Sequence, residues 1–197
     1  MRFPGATHRN IYVRSRRAGE RVMKSLTRFI RTKLKLQVKQ SKSAVAEPWE
    51  RKFLGFSFTR SESPKGRIAP KALKRFKERV RELTSRTRGI SIERMAKELA
   101  LYLRGWIGYF GKCETPSVLQ SLEEWTRRRL RSAIWKQWQR GTVRFAALRK
   151  RGVNFQLAAT TAGSAHGPWH LAHSQALALA LPNAYFDSLA IPRLTVR

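Results

Sequence analysis

The residues able to hold a metal or move a proton are few and scattered. The chain has a single aspartate, Asp187, and eleven glutamates. A two-metal polymerase or nuclease site needs carboxylates that converge on both ions, and no such cluster is visible. Glu123 and Glu124 are neighbours, but successive residues on a helix point about 100° apart, so the pair reads as a solvated helix face. Glu47 and Glu50 flank Pro48 and read as ordinary surface. His166, His170 and His173 are the best metal candidates, with Cys113 as a fourth ligand, because the chain has only four histidines. Against them, Gly167-Pro168 breaks the helix that would place His166 and His170 on one face, and no Cys-x-x-Cys accompanies them. Ser164 beside His166 has no acid near it in sequence for nucleophilic work. The residues therefore point to no catalytic group and no metal site.

Charge carries the stronger signal. Forty-two Lys and Arg face twelve acids, for a net charge of +30. A surface so basic repels itself unless a polyanion neutralises it, and release of condensed counterions drives that binding. Ten Phe, six Trp and four Tyr are too many for a disordered polybasic tail. An anionic membrane fits less well than nucleic acid, because the basic helices also carry aromatic residues to bury. Residues 1–60 hold 16 basic and 3 acidic residues, 61–152 hold 24 and 8, and 153–197 hold 2 and 1. The polyanion surface is thus expected on the first 150 or so residues, with the tail finishing the fold. No apolar run reaches the roughly 20 residues of a membrane helix, the N-terminus is charged from Arg2, and one cysteine cannot form an internal disulfide. The expected location is cytoplasmic.

The elements that would position these cations are legible from spacing. Asn10–Arg14 alternates like a strand, and a helix is expected from Gly19 to about Leu34 with Val22, Met23, Leu26, Phe29, Ile30 and Leu34 on one face. Leu36–Val38 and Phe53–Phe58 read as strands, with Gly66-Arg67-Ile68 as a hairpin return after the turn residues Ser61, Ser63 and Pro64. From Pro70 the pattern turns helical. Lys71 to about Thr87 has a seam of Leu73, Phe76, Val80 and Leu83, and Gly89 ends it. Ser91 caps a helix to about Phe110, with Met95, Leu99, Tyr102, Trp106 and Phe110 inward. Pro116 starts a third helix to about Gln139, with Leu122, Trp125, Leu130, Ile134 and Trp138 buried. A short helix, Val143–Lys150, stops at Gly152. The tail reads as loops with small elements. The fold class is α+β: a small N-terminal region of strands and one helix at 1–69, a helical bundle at 70–152, and an irregular tail at 153–197 that packs on it.

Within the bundle, Arg127-Arg128-Arg129 and Arg131 wrap most of a helix beside Trp125 and Ile134. Arginine suits bidentate phosphate contact and stacking on unpaired bases. Arg149-Lys150-Arg151 closes the next helix, where either phosphate binding or the favourable dipole end explains it.

Several of these residues form motifs that resemble a known family. Phe53-Leu54-Gly55-Phe56 is similar to the last reverse-transcriptase block, where a hairpin meets the thumb. Leu103-Arg104-Gly105-Trp106-Ile107-Gly108-Tyr109-Phe110 resembles the signature of the group II intron maturase-specific domain, or domain X, and Trp125 with Arg127–Arg131 continues it. His166-Gly167-Pro168-Trp169 and Leu181-Pro182-Asn183-Ala184-Tyr185-Phe186 resemble the C-terminal end of bacterial members without an endonuclease domain. The chain thus resembles a C-terminal fragment of a group II intron reverse transcriptase and maturase. The resemblance implies a partial palm at 1–69, a thumb and domain X at 70–152, and the tail beyond.

The N-terminus departs from the family. Where the family has Tyr-Ala-Asp-Asp, this chain has Gly5-Ala6-Thr7-His8, so Thr7 and His8 stand in place of the two aspartates. A hydroxyl and an imidazole do not replace carboxylates at magnesium. The resemblance therefore implies a protein that binds structured intron RNA and assists its folding and splicing, with no cofactor and no polymerisation of its own. Magnesium would enter only if a full palm were supplied in complement. That complemented reverse transcriptase and a decayed gene product are the alternatives, and self-association through the incomplete palm is a further expectation. The expected RNA contacts are Lys71, Lys74, Arg75, Lys77, Arg79, Arg127, Arg128, Arg129, Arg131, Lys136 and Arg140. Trp106, Tyr109 and Phe110 are core residues on the simpler reading and base-stacking residues on the other.

Overall fold

The computed structural model describes residues 10–39 and 43–195. Thr7 and His8 lie outside them. The chain is α+β and mostly helical, and it divides at Ala69/Pro70 into two compact units.

In the first unit, α1 spans Arg16–Thr32. It begins three residues before the expected Gly19, because the Ser15 side chain accepts from the Ala18 N–H at 3.2 Å and caps the free first turn. Gly19 lies inside that turn, where an added Cβ would meet Val45 Cγ1 at 2.7 Å. None of the residues of the expected apolar face is buried, and Phe29 and Leu34 are each 52% exposed.

Two expected strands are absent. Asn10–Arg14 and Leu36–Val38 pair with nothing among the described residues, since a strand without a partner has no ladder to define it. Tyr12 instead sets its ring edge-on to Phe58, at 6.1 Å. Phe53–Phe58 is not one strand either. Leu54 (φ 50°) and Gly55 (φ 81°) both turn left-handed, and Phe53 and Phe56 exchange N–H···O bonds of 2.9 Å on each side. Positive φ at both central positions is the signature of a two-residue hairpin turn. β1 is therefore shorter, Phe56–Phe58. It pairs antiparallel with β2, Gly66–Ile68, in the register Phe56 to Ile68, as the hairpin return predicts.

The second unit opens with α2, Pro70–Leu83. It ends earlier than Thr87 because the chain turns at Thr84, whose hydroxyl bonds back to the Val80 carbonyl at 2.6 Å. Phe76, Val80 and Leu83 are buried as the seam requires. Helix α3, Ile92–Phe110, is capped by Ser91, which accepts from the Arg94 N–H at 3.2 Å. Phe76 lies 4.5 Å from Trp106, and Trp106 lies 4.9 Å from Phe110, centroid to centroid.

Helix α4, Pro116–Gln137, has proline at its first turn. Its buried tryptophan is Trp135, fully enclosed, while Trp125 and Trp138 are half-exposed. A one-face pattern assumes one covered side. Four consecutive residues, Ser132 to Trp135, are buried, so this stretch of α4 is enclosed all round. Helix α5 is Gly141–Lys150, and Gly152 follows with φ 83°.

The tail is regular, not irregular. It forms α6 (Phe155–Ala162), α7 (Pro168–Leu171), α8 (Gln175–Ala180) and α9 (Asn183–Ser188). Asn154 and Ser174 cap α6 and α8. Leu171, Leu177, Leu181, Phe186, Ile191 and Leu194 are buried. Helices of one or two turns are too short to display a period, which is why spacing alone does not reveal them. Among the described residues, no helix is long and apolar enough to cross a membrane.

Candidate nucleic-acid interface

The arginine run of α4 is bound into the protein. Arg127 has a side chain only 4% exposed. Its Nε and Nη2 donate to Glu123 Oε1 at 3.2 and 3.0 Å, Nη2 also to Asp187 Oδ1 at 3.3 Å, and Nη1 to the Asn183 carbonyl at 3.1 Å. Glu123 is no solvated carboxylate. Its other oxygen accepts from the Leu194 N–H at 2.8 Å, so one network fastens the C-terminal segment to α4. Asp187 also takes Arg193 at 2.6 Å. That bond, then Arg127, holds its carboxyl below the ordinary range against the opposing effect of burial. Arg127 is therefore corrected from an RNA contact to a buried structural cation, because two carboxylates and a carbonyl already answer its charge.

Its neighbours follow in part. Arg128 donates twice to the Trp169 carbonyl, and its guanidinium lies 4.2 Å from the Trp169 ring centroid. Arg129 donates to Thr84 Oγ1 at 3.0 Å and to the Arg81 and Thr84 carbonyls, closing the end of α2. Burial first, then repulsion from Arg86 and Arg81, lowers its pKa. Arg131 donates to the Leu181 carbonyl at 3.0 Å and is half-buried. Burial, then Arg127, pushes its pKa down as well. Arg149 and Arg151 donate to the Val153 and Ala147 carbonyls, which supports the helix-closing reading of that cluster.

The α2 cations face outward. Lys71, Lys74, Arg75 and Arg79 are exposed. Lys74 approaches Glu78 at 4.0 Å and Arg79 approaches Glu82 at 2.6 Å, each partly matched. Lys71 and Arg75 have no ion pair among the described residues. Lys77 is half-buried, 5.9 Å from the Trp125 ring that Arg81 also covers. Lys136 and Arg140, at the end of α4 and the start of α5, are exposed.

Residue spacing holds a second outward face that the motif reading passes over. At about 100° per residue, Lys97, Leu101, Arg104, Gly105, Gly108 and Lys112 fall on one stripe of α3 and its end. All are exposed, Leu101 by 74%. A Cβ at Gly105 or Gly108 would meet nothing within 4 Å. No acid lies in this stripe. Tyr109, at its edge, is 50% exposed, whereas Trp106 is core. Of the three aromatic residues of the motif, Tyr109 alone is well placed to meet a base.

The histidines do not converge on a ligand. The His166 and His170 rings lie 4.3 Å apart, tilted by 32°. Cys113 makes its contacts with Thr115. Among the described residues, no group of three or more His, Cys, Asp or Glu is arranged to hold a metal ion.

Among curated proteins, none matches the chain. Residues 73–152 match the family of the group II intron, maturase-specific domain. The match begins within α2, takes in α3, α4 and α5, and ends at Gly152, so it includes the outward α2 cations after Lys71, the α3 stripe and the enclosed arginine run. The likeness to the maturase-specific domain thus covers residues 73–152 of the 197-residue chain.

Proposed function

We propose that this chain binds group II intron RNA and helps it fold and splice, with the RNA supplying the splicing chemistry. The observation that carries the reading is the coincidence of the maturase-specific match with cations that the fold leaves exposed on α2 and α3. Such a surface neutralises phosphates where RNA segments approach closely. In this reading residues 1–69 are a palm remnant, and no nucleotide is polymerised by the chain alone. Thr7 and His8 occupy the places of the aspartates, and magnesium has a role only with a complementing palm. The protein works in the cytoplasm, where the RNA is. The exposed apolar residues of α1 supply a face for self-association.

The test is affinity for a structured intron RNA as a function of salt. The wild-type chain should bind with a steep salt slope, and Lys71→Gln with Arg75→Gln should lower the slope by about 1 per cation. A slope unchanged in the double variant removes α2 from the interface. Primer extension by the purified chain with magnesium and template should yield no product; extension would overturn the non-polymerising part.

A further inference from the structure

We infer that the cavity between the α2–α3 loop, the end of α4 and the start of α5 is a phosphate pocket that takes a phosphate group of RNA. This rests on the RNA-binding reading above and names a site within it. The cavity encloses about 630 Å³, room for a nucleotide unit and not only an ion. Its charged lining is Arg86, Lys136 and Arg144, and no lining residue is acidic. None of the three forms an ion pair among the described residues.

The pocket is built and not merely crowded. The Arg144 guanidinium lies 4.8 Å from the centroid of the enclosed Trp135 ring, a cation–π contact that holds it against α4. Its Nε is buried and has no hydrogen-bond partner. A buried donor without an acceptor costs about 1–3 kcal/mol, more when charged, and native proteins rarely leave one so. Arginine stays protonated, so its charge still lacks an anion. A phosphate in the cavity answers the charge of the guanidinium, which no carboxylate of the described residues balances. The walls are tied together, since Gln137 Nε2 donates to the Ile90 carbonyl at 2.8 Å and joins α4 to the loop. Ser85 and Gln139 add neutral polar groups around the cations.

The experiment uses the full chain and an RNA hairpin labelled at its 3′ end, made with either a 5′-hydroxyl or a 5′-monophosphate. Binding is followed by anisotropy across about 50 to 200 mM salt. Arg86→Gln, Lys136→Gln and Arg144→Gln should each weaken binding about threefold to tenfold and lower the salt slope by about 1. Loss on both RNAs assigns the pocket to a backbone phosphodiester; loss only on the 5′-monophosphate RNA assigns it to a terminal phosphate. Lys136 is exposed, so its variant reads charge without disturbing the core, and it decides the matter if Arg144→Gln unfolds. Should Lys71→Gln with Arg75→Gln weaken binding while the pocket variants match wild type in affinity and slope, the pocket is wrong and RNA binding stands. Absence of any salt-dependent binding by the wild-type chain would remove both.

Discussion

Helix α4 and the pair α2 and α3 are built from the same cations, yet they use them in opposite ways. On α4, Arg127, Arg129 and Arg131 reach a carboxylate, a hydroxyl and carbonyls distant in sequence, at Asp187, Thr84 and Leu181. On α2 and α3, Lys71, Arg75, Lys97 and Arg104 meet solvent. The difference lies in coverage. Helix α4 meets other elements on several sides, so its long side chains end against them and satisfy their donors there. The other two bury one side and leave the rest to solvent. A run of arginines is therefore not by itself a phosphate site; the cations that remain unmatched after folding are the better candidates.

The largest effect should come from breaking the enclosed network. Arg127→Ala leaves Glu123 without its cation and Asp187 with Arg193 alone, and it should cost about 3–5 kcal/mol of stability, read from urea unfolding. The fraction that stays folded should keep its RNA affinity, because the outward cations are untouched. Equal stability in the variant would mean that the network is not closed in solution.

Arg129→Ala should be smaller, about 1.5–3 kcal/mol, since it removes charged hydrogen bonds to the end of α2. As Arg128 and Arg129 are both among the RNA contacts expected from sequence, Arg128→Ala with Arg129→Ala should weaken RNA binding and flatten its salt dependence. The structure adds that stability should fall with it. Weaker binding at unchanged thermal stability would return Arg129 to the RNA surface.

Gly105→Ala and Gly108→Ala probe the open stripe of α3. Each should raise stability by about 0.5–1 kcal/mol, as alanine favours helix and has open space there. A gain in thermal stability accompanied by weaker RNA binding would show that RNA comes close to the bare backbone, which sharpens the contrast with α4.

The smallest effect is a pH dependence. Arg193 and Arg127 hold the Asp187 carboxyl below its ordinary value. The unfolded chain therefore takes up this proton more readily than the folded one. The contribution is complete above the unfolded pKa, about 3.9, and is lost as pH falls through the lower folded value. Asp187→Asn should flatten this part of the acid limb, seen as a narrowing gap between variant and wild type below about pH 4. A gap that stays constant down to the lowest pH would rule out the depressed carboxyl.

Much of the helical second unit was readable before folding was considered. Pro70, Ser91 and Pro116 mark starts, and Gly89 and Gly152 mark stops, because capping depends on neighbours within one turn. The hairpin return at Gly66–Ile68 has the same local origin. The Leu54-Gly55 turn was harder to see, since hydrophobic residues on both sides imitate a continuous strand. The small tail helices escaped because no period develops in so few residues.

Composition alone determined the excess of positive charge: +30 is what its own twelve acids leave unbalanced. Capping residues and apolar spacing determined most of its longer helices. Which cations are spent inside and which are left exposed was decided by tertiary structure. Arg127 meets Asp187 sixty residues away, and Arg144 comes to rest on Trp135 with one donor unanswered. Charge is a property of each residue, but availability depends on what packs against it.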